Sequence, residues 1–342
     1  MKARLASLLF ILCLLAMNVT PTSFEPALIK GLSFAAWWHG LYSTPEADRS
    51  LELLAQTGAE WLALIVTCYQ ENIHSTEIGC LTGSRTPTDD DLRHAIQVAR
   101  RLGLKVLLKP HLDLDDDPAH WRGEISFTEE SDWQAWFASY SRFIQHYAQL
   151  AQAERVEMFC VGVELERTTV READWREIVS RVRELYHGLL IYAANHSGEE
   201  FRIKFWDALD YIGVDAYYPL TDEEDPTVEE LEAAWGPHLS RLRGLSARWG
   251  RPVIFTEIGY RSLDGTNIAP WDWQAQGPID LQEQADCYLA FFQTFWRQHD
   301  WFRGVFWWAW STDPDQGGPQ DTGYTPHDKP AEAIIREFFQ EP

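Results

Sequence analysis

Eight short apolar segments alternate with longer amphipathic segments, and this alternation restricts the possible folds more than any other feature of the chain. The apolar segments are predicted strands at residues 31–37, 61–67, 105–110, 158–163, 190–194, 211–216, 253–256 and 304–310. Helical patterns cover residues 45–57, 89–101, 131–153, 175–186, 229–249, 281–298 and, at the end, 330–339. Strands that alternate with helices form parallel sheets, and eight of them favour an α/β fold of the (β/α)8 TIM barrel type over a doubly wound sheet.

The chain length fits one large barrel. Such barrels occupy about 250 residues or more as a single domain, so we expect one domain over residues 24–342 of the 342. No GxGxxG motif follows the first predicted strand, and no GxxxxGK[ST] motif occurs anywhere. The sequence therefore gives no support to a dinucleotide-binding or P-loop protein.

Residues 1–23 have the pattern of an export signal. Lys2 and Arg4 precede an apolar stretch, residues 5–17, that is too short to span a bilayer comfortably. No clean small-x-small cleavage site follows it, so the segment is either a cleaved signal peptide or a retained N-terminal anchor. We therefore expect a secreted or cell-envelope protein.

Charge and cysteine spacing exclude several classes of partner. A formal net charge of −23 argues against a nucleic-acid partner and against binding to an anionic membrane surface, since both need a basic patch. A neutral substrate fits better. No CxxC spacing occurs, and the acidic run 113–117 lacks the glycine and distal glutamate of a calcium loop, so no metal site is expected. Cys68 and Cys80 either form a disulfide in an oxidising compartment or remain buried thiols.

Two of the predicted strands end in glutamate. Residues 251–260 read RPVIFTEIGY, which places Glu257 at the end of strand seven, and strand four runs directly into Glu164. Ionised carboxylates are rarely buried without a partner or a task, and a structural ion pair is the competing explanation for each. Two such ends together match a retaining glycosidase, which needs a nucleophile and an acid/base roughly 5 to 5.5 Å apart.

Strands three and eight end in side chains suited to sugars. The period of two along strand three places Lys109, His111 and Asp113 on one side. They form either a polar wall that binds sugar hydroxyls or a structural Lys–Asp pair with the histidine between them. Trp308 and Trp310 share one face of strand eight, where indole rings can stack on sugar rings. Core packing explains one of them well, but not both.

The ends of other strands supply the remaining candidates for substrate binding. Of the adjacent Trp37 and Trp38 at the end of strand one, we expect one to pack and the other, taken as Trp38, to face the cleft. The other candidates are Tyr69 after strand two, Asn195 at the end of strand five and Tyr217 after strand six.

Together these motifs resemble clan A of the glycoside hydrolases and, within it, family 113, the β-mannanases. The segments that carry the resemblance are FAAWW (34–38), YSTPEAD (42–48), TCYQ (67–70), IHST (73–76), LKPH (108–111), VDAYYP (214–219) and FTEIGY (255–260). The resemblance implies that Glu257 is the nucleophile and Glu164 the acid/base. Much of clan A has asparagine immediately before the acid/base, whereas this chain has Val163. The contact to the sugar 2-hydroxyl must then come from elsewhere, and Asn195 is the candidate by location.

The resemblance implies an exported, retaining endo-β-1,4-mannanase that acts on neutral β-mannan or manno-oligosaccharides and requires no metal or organic cofactor. Two alternatives remain open. One is another clan A activity, on β-glucan, xylan or a bacterial surface glycan. The other is a carbohydrate-binding barrel that has lost catalysis, against which the presence of both glutamates argues.

Overall fold

A computed structural model describes residues 28–341, so the predicted signal segment lies outside the described residues. Eight parallel strands close into a barrel in chain order, which confirms the predicted (β/α)8 fold. The strands are β1 (Ile29–Ala35), β2 (Trp61–Gln70), β3 (Lys105–Leu114), β4 (Met158–Val163), β5 (Leu189–Asn195), β6 (Tyr211–Asp215), β7 (Val253–Ile258) and β8 (Phe302–Ser311).

Helices cover the outside of the barrel. They are α1 (Pro45–Ala55), α2 (Asp89–Arg101), α3 (Glu130–Ala153), α4 (Glu172–Leu185), α5 (Glu199–Arg202), α6 (Val228–Trp249), α7 (Leu281–Phe295) and α8 (Pro330–Phe339). The predicted helices are all present, and the short α5 was not predicted. Within residues 28–341, no helix has the length and apolar character needed to cross a membrane.

Side-chain caps fix where several helices begin. Thr88 before α2 and Thr227 before α6 each form a capping box, with Asp91 and Glu230 as the third helical residues. Thr44 caps α1 in the same position. Because a cap satisfies backbone N–H groups that the helix itself leaves unpaired, these threonines fix the first residues of α1, α2 and α6.

The lower interior of the barrel is packed with apolar side chains. Trp61, Leu107, Met158 and Phe306 belong to this inner cluster, and a larger apolar cluster joins the outer faces of the strands to the helices. Closure brings β1 against β8 so tightly that a Cβ at Gly304, where φ is +121°, would lie 2.1 Å from a backbone oxygen. A filled barrel leaves the carboxyl ends of the strands as the place for polar chemistry.

Strands β2 and β3 extend further than the sequence pattern predicted. Their pairing continues to Gln70 opposite Leu114, whereas the predicted strands ended at residues 67 and 110. A disulfide between Cys68 and Cys80 closes the loop that follows β2, which decides between the two alternatives left open by the sequence.

We expect loss of this disulfide to destabilise the protein without abolishing its fold. A bridge across a loop of this size restricts the unfolded chain and contributes about 2–3 kcal/mol to the free energy of unfolding. The Cys68→Ala/Cys80→Ala variant should therefore melt at a lower temperature than the wild type, and a reductant should lower the Tm of the wild type alone. Equal melting temperatures for the two proteins would contradict this expectation.

Candidate active site

A cleft of about 1320 Å³ opens at the carboxyl ends of the strands. The predicted site residues that line it are His111, Glu164, Asn195, Tyr217, Glu257, Trp308 and Trp310. Glu164 follows β4 and Glu257 lies in β7, and their exposed fractions are 8% and 6%. The two glutamates thus face one cleft from a largely desolvated position, where hydrogen bonds and charges act strongly.

Glu257 is held by a side chain of β3 and by another that follows β6. The Lys109 ammonium donates to Oε1 at 2.5 Å, and the Tyr217 hydroxyl donates to Oε2 at 2.9 Å. His111 Nε2 lies 3.7 Å from Oε1. Burial and the adjacent Glu257 raise the pKa of Tyr217 well above its ordinary value, so the phenol stays protonated and remains a donor.

Lys109 lies beneath the cleft and does not line it. Its Nζ is 3.0 and 3.2 Å from the two carboxylate oxygens of Asp215, and Thr256 Oγ1 donates to Asp215 at 2.7 Å. Burial lowers the pKa of Lys109, but Asp215 and Glu257 outweigh it and raise the pKa above its ordinary value. The prediction that Lys109 binds sugar hydroxyls is therefore wrong. The structural Lys–Asp pair is present instead, with Asp215 rather than Asp113 as the partner.

Glu164 has an unusual backbone conformation. Its φ is +51°, in the left-handed region that non-glycine residues rarely adopt. Arg122 donates to Oε2 from Nε at 3.2 Å and from Nη2 at 3.0 Å, while Asn195 Nδ2 donates to Oε1 at 2.7 Å. Backbone strain of this kind clusters at functional sites, because the surrounding contacts must maintain it.

Asn195 orients Glu164 and is itself fixed. Its Oδ1 accepts the Ser197 N–H at 2.9 Å, and its own N–H donates to Glu199 Oε2 at 2.7 Å. Burial raises the pKa of Glu199 well above its ordinary value, although the bonds from Tyr192 and Asn195 oppose the rise. In the structure, Asn195 thus directs one amide N–H to Glu164 while it lines the cleft, and its contact to a sugar 2-hydroxyl stays a prediction.

One aromatic group, the Trp308 group, adjoins Glu257. It consists of Trp308, His111 and Trp37: the rings of Trp308 and His111 are nearly parallel at 6.4 Å, and Trp37 lies 6.2 Å from Trp308. The peptide bond after Trp308 is cis. Burial, together with the cations of Lys109 and Arg122, lowers the pKa of His111 well below its ordinary value. The imidazole is thus neutral at neutral pH.

A second aromatic group, the Trp271 group, adjoins Glu164. Trp271 stacks on His196 at 5.2 Å, and His196 directly follows Asn195, the partner of Glu164. Trp273, two residues beyond Trp271, also lines the cleft and is largely exposed. Flat apolar faces therefore lie beside each glutamate.

Two further predicted residues lie outside the lining of the cleft. Trp38 is 56% exposed, and the neighbouring Trp37 takes the predicted place in the cleft, so neither tryptophan packs in the core. Tyr69 lies under the guanidinium of Arg85, 4.5 Å from the ring centroid. The sequence located both strand ends, but the structure places neither of these two side chains in the lining of the cleft.

Trp310 borders the cleft but is a core residue. Only 2% of it is exposed, and its indole N–H donates to Ser50 Oγ at 2.9 Å. Trp308 is half-buried and offers its ring to the cleft. The structure thus separates two tryptophans that the sequence placed on one face.

Several residues that line the cleft were not predicted. They lie on loops after the strands and are Trp121, Arg122, Arg261, Trp271, Trp273 and Tyr324. Tryptophans within polar segments, as in APWDW at 269–273, were the available signal. No sequence pattern marks Arg122 as a site residue. Its partner Glu164 lies far from it in the sequence, and its other partner, Asp113, lies on β3.

Two side-chain groups outside the cleft have the composition of a metal site. They are Asp264, Asp280 and Glu283, and His327, Asp328 and Glu332. The buried glutamate of each already has donors: Glu283 accepts from the backbone of Gly265 and Asn267, and Glu332 accepts from Arg336. Because these contacts already occupy the two glutamates, we assign both groups a structural role.

Comparison with known proteins identifies the family. The family model described as Glycoside Hydrolase Family 113 matches residues 33–329. The chain belongs to glycoside hydrolase family 113. The resemblance seen in the sequence is thus confirmed, and the protein is a glycoside hydrolase. A search of curated proteins gave no match.

Solved structures agree with this membership. A structure of a GH113 β-1,4-mannanase is 33% identical over 92% of this chain and 100% of that one, with a TM-score of 0.84. A GH113 β-mannanase from Alicyclobacillus acidocaldarius in complex with ManMIm is 34% identical over 92% and 97% of the two chains, with a TM-score of 0.83. A Ruminococcus gnavus β-glucuronidase, at 14% identity and a TM-score of 0.62, shares the fold alone.

We expect Trp308 and Trp310 of this GH113 enzyme to respond differently to truncation. Trp308→Ala should lower kcat/KM by roughly 10-fold or more with little change in Tm, because ring stacking is worth on the order of 1 to 3 kcal/mol. Trp310→Ala should lower the Tm markedly, since it removes a buried indole. Thermal melting and initial rates test both. The reverse pattern, with an early-melting Trp308→Ala and a stable but inactive Trp310→Ala, would contradict the assignment.

Proposed function

We propose that this GH113 enzyme is a retaining endo-β-1,4-mannanase with Glu257 as nucleophile and Glu164 as acid/base. The observation that carries the proposal is the pair of buried glutamates that face one cleft, each with a different set of donors. Two similar solved structures are GH113 β-mannanases, which supports mannan as the substrate.

The first step forms a glycosyl-enzyme. A Glu257 carboxylate oxygen bonds to the anomeric carbon, the glycosidic C–O bond breaks, and Glu164 gives its proton to the leaving oxygen. Lys109 and Tyr217 each occupy one lone pair on separate oxygens of Glu257. A carboxylate oxygen has more than one acceptor site, so lone pairs remain for the anomeric carbon.

The second step releases the sugar. Water gives a proton to the Glu164 carboxylate, its oxygen bonds to the anomeric carbon, and the ester bond to Glu257 breaks. Two displacements at one carbon retain the β configuration. The donors from Arg122 and Asn195 suit the carboxylate that accepts this proton.

The aromatic groups support binding of a neutral chain on both sides of the scissile bond. The Trp308 group adjoins Glu257, and the Trp271 group adjoins Glu164. Rings stacked on indole faces bind without any charge on the sugar. Platforms beside both glutamates favour cleavage within a chain over removal of terminal units.

Export of the protein is part of the proposal. The N-terminal segment with Lys2 and Arg4 followed by apolar residues has the signal pattern. The Cys68–Cys80 disulfide supports this, because disulfides persist mainly in oxidising compartments.

The reaction and substrate are tested with a panel of β-mannan, β-glucan and xylan. We expect reducing ends to appear fastest from mannan, and proton NMR of early products to show the β anomer first. Faster release from glucan or xylan would replace the proposed substrate, and initial α anomer would show inversion. No release from any glycan would favour a carbohydrate-binding barrel.

The acid/base assignment is tested by comparing Glu164 with its neighbour Glu166. Glu164→Ala should lose activity on mannan yet keep some on an aryl β-mannoside whose leaving group needs little protonation. Glu166→Ala is the matched control, since Glu166 accepts from Ser197 at 2.7 Å and pairs with Arg202. It should retain activity on both substrates. If Glu166→Ala shows the selective loss instead, the assignment is wrong.

A further inference from the structure

We propose that Lys109 and Asp215, here called the Lys109–Asp215 pair, balance the charge on Glu257. The pair lets Glu257 attack the anomeric carbon efficiently, and it leaves no unpaired buried charge once the glycosyl-enzyme has formed. This inference rests on the proposed nucleophile role of Glu257. Neither member of the pair lines the cleft, so both are positioning residues that act through Glu257.

The pair places one cation between two carboxylates. Lys109 Nζ is 2.5 Å from Glu257 and 3.0 Å from Asp215, and the side chains of Lys109 and Asp215 are fully buried. Thr256 fixes Asp215 from the adjacent strand with a hydroxyl bond of 2.7 Å. Burial and Glu257 raise the pKa of Asp215, whereas Lys109 and the hydrogen bond from Thr256 oppose the rise. Because the Lys109 ammonium lies 3.0 Å from its carboxylate, we assign Asp215 as ionised, and the three groups then carry one net negative charge.

Formation of the glycosyl-enzyme changes this balance. The new bond from Glu257 to the anomeric carbon turns its carboxylate into a neutral ester. Lys109 would then be a buried cation without a counter-ion, a costly state, if Asp215 were absent. With Asp215 in place, the ammonium and the aspartate neutralise each other, and the negative charge now lies on Glu164, which has given its proton to the leaving oxygen.

Removal of Lys109 would have the opposite effect. Asp215 and Glu257 would be two adjacent buried carboxylates without a cation, and like charges at such a site drive one of them to bind a proton. A proton on Glu257 removes the nucleophile. Lys109 therefore keeps Glu257 ionised, and Asp215 keeps Lys109 from binding Glu257 alone.

Other charged and titratable groups lie around this pair and Glu257. They are His111 on the same strand, Cys160 on β4, Glu164 after β4, Arg122 on the loop after β3, Tyr217 after β6 and Tyr324 near the C-terminus. Arg122 is hydrogen-bonded to Glu164, and His111 is neutral because burial and nearby cations lower its pKa. The cation hydrogen-bonded to Glu257 is Lys109.

The test is a double-mutant cycle of Lys109→Met and Asp215→Asn. The pH profile of kcat/KM is measured on an aryl β-mannoside with a good leaving group, which reports attack by Glu257. Lys109→Met should move the acidic limb to higher pH by roughly one unit or more, and Asp215→Asn should lower kcat/KM by roughly 10-fold or more without that movement. The double variant restores the charge balance, and its kcat/KM should exceed that of each single variant by roughly 10-fold.

Lys329→Met is the matched control for loss of a buried lysine. Lys329 is buried and paired with Asp321 at 2.7 Å, and none of its bonds is to Glu257. The Lys329→Met variant should have a lower Tm, and the acidic limb of its kcat/KM profile should stay at the wild-type pH. Near-UV circular dichroism checks folding, and if Lys109→Met does not fold, Asp215→Asn and the double variant still decide the question.

The outcomes separate this inference from the proposed function. Any one of three results would overturn the charge-balance role. The acidic limb could stay unmoved in a folded Lys109→Met, or Asp215→Asn could keep the wild-type kcat/KM. The third is a double variant whose fold loss of kcat/KM equals the product of the losses in the two single variants. Full activity of Glu257→Ala would instead overturn the proposed function. If the wild type prefers another glycan, the cycle is run on an aryl glycoside of that sugar with the same expectations.

Discussion

A closely packed barrel interior cannot hold a charge without a partner, and this constraint arranges the polar residues of the molecule. Apolar side chains such as Met158 and Phe306 fill the lower barrel. Polar groups begin only above them, where Lys109, Asp215 and Glu257 satisfy one another across three strands. Because separating any of these charges in a desolvated setting is costly, the network holds its geometry firmly. The floor of the cleft thereby gains a fixed carboxylate without support from solvent.

The strand order and both glutamates were predictable because each depends on local sequence. Apolar runs of strand length reveal buried strands, and a carboxylate at the end of such a run is conspicuous. Depth within the barrel was not predictable: a period of two placed Lys109 and His111 on one face, but it could not show that Lys109 lies below the cleft and His111 lines it. The partner Asp215 lies on β6, whereas Lys109 lies on β3, and no local sequence pattern connects these two residues.

The loop residues of the cleft were the other part of the site that the sequence did not predict. Arg122 binds Glu164, and Trp271 stacks on His196, yet loops have no hydrophobic period from which side-chain direction follows. At Trp37 and Trp38 the sequence showed that an aromatic residue would reach the cleft but not which of the two. Val163 illustrates a different point. It packs in the inner cluster, at the position where the resemblance to clan A leads to the expectation of asparagine, and the amide that contacts Glu164 comes from Asn195 on the next strand.

The left-handed backbone of Glu164 has an evolutionary consequence. A non-glycine residue held at a φ of +51° carries a conformational cost of about 1 kcal/mol or more, which glycine would relieve. Glycine would, however, leave the Arg122 guanidinium and the Asn195 amide without the carboxylate that accepts their hydrogen bonds. The side chain that imposes the strained backbone therefore also stabilises it. A lineage that loses glutamate at position 164 gains stability only if it replaces Arg122 and Asn195 as well.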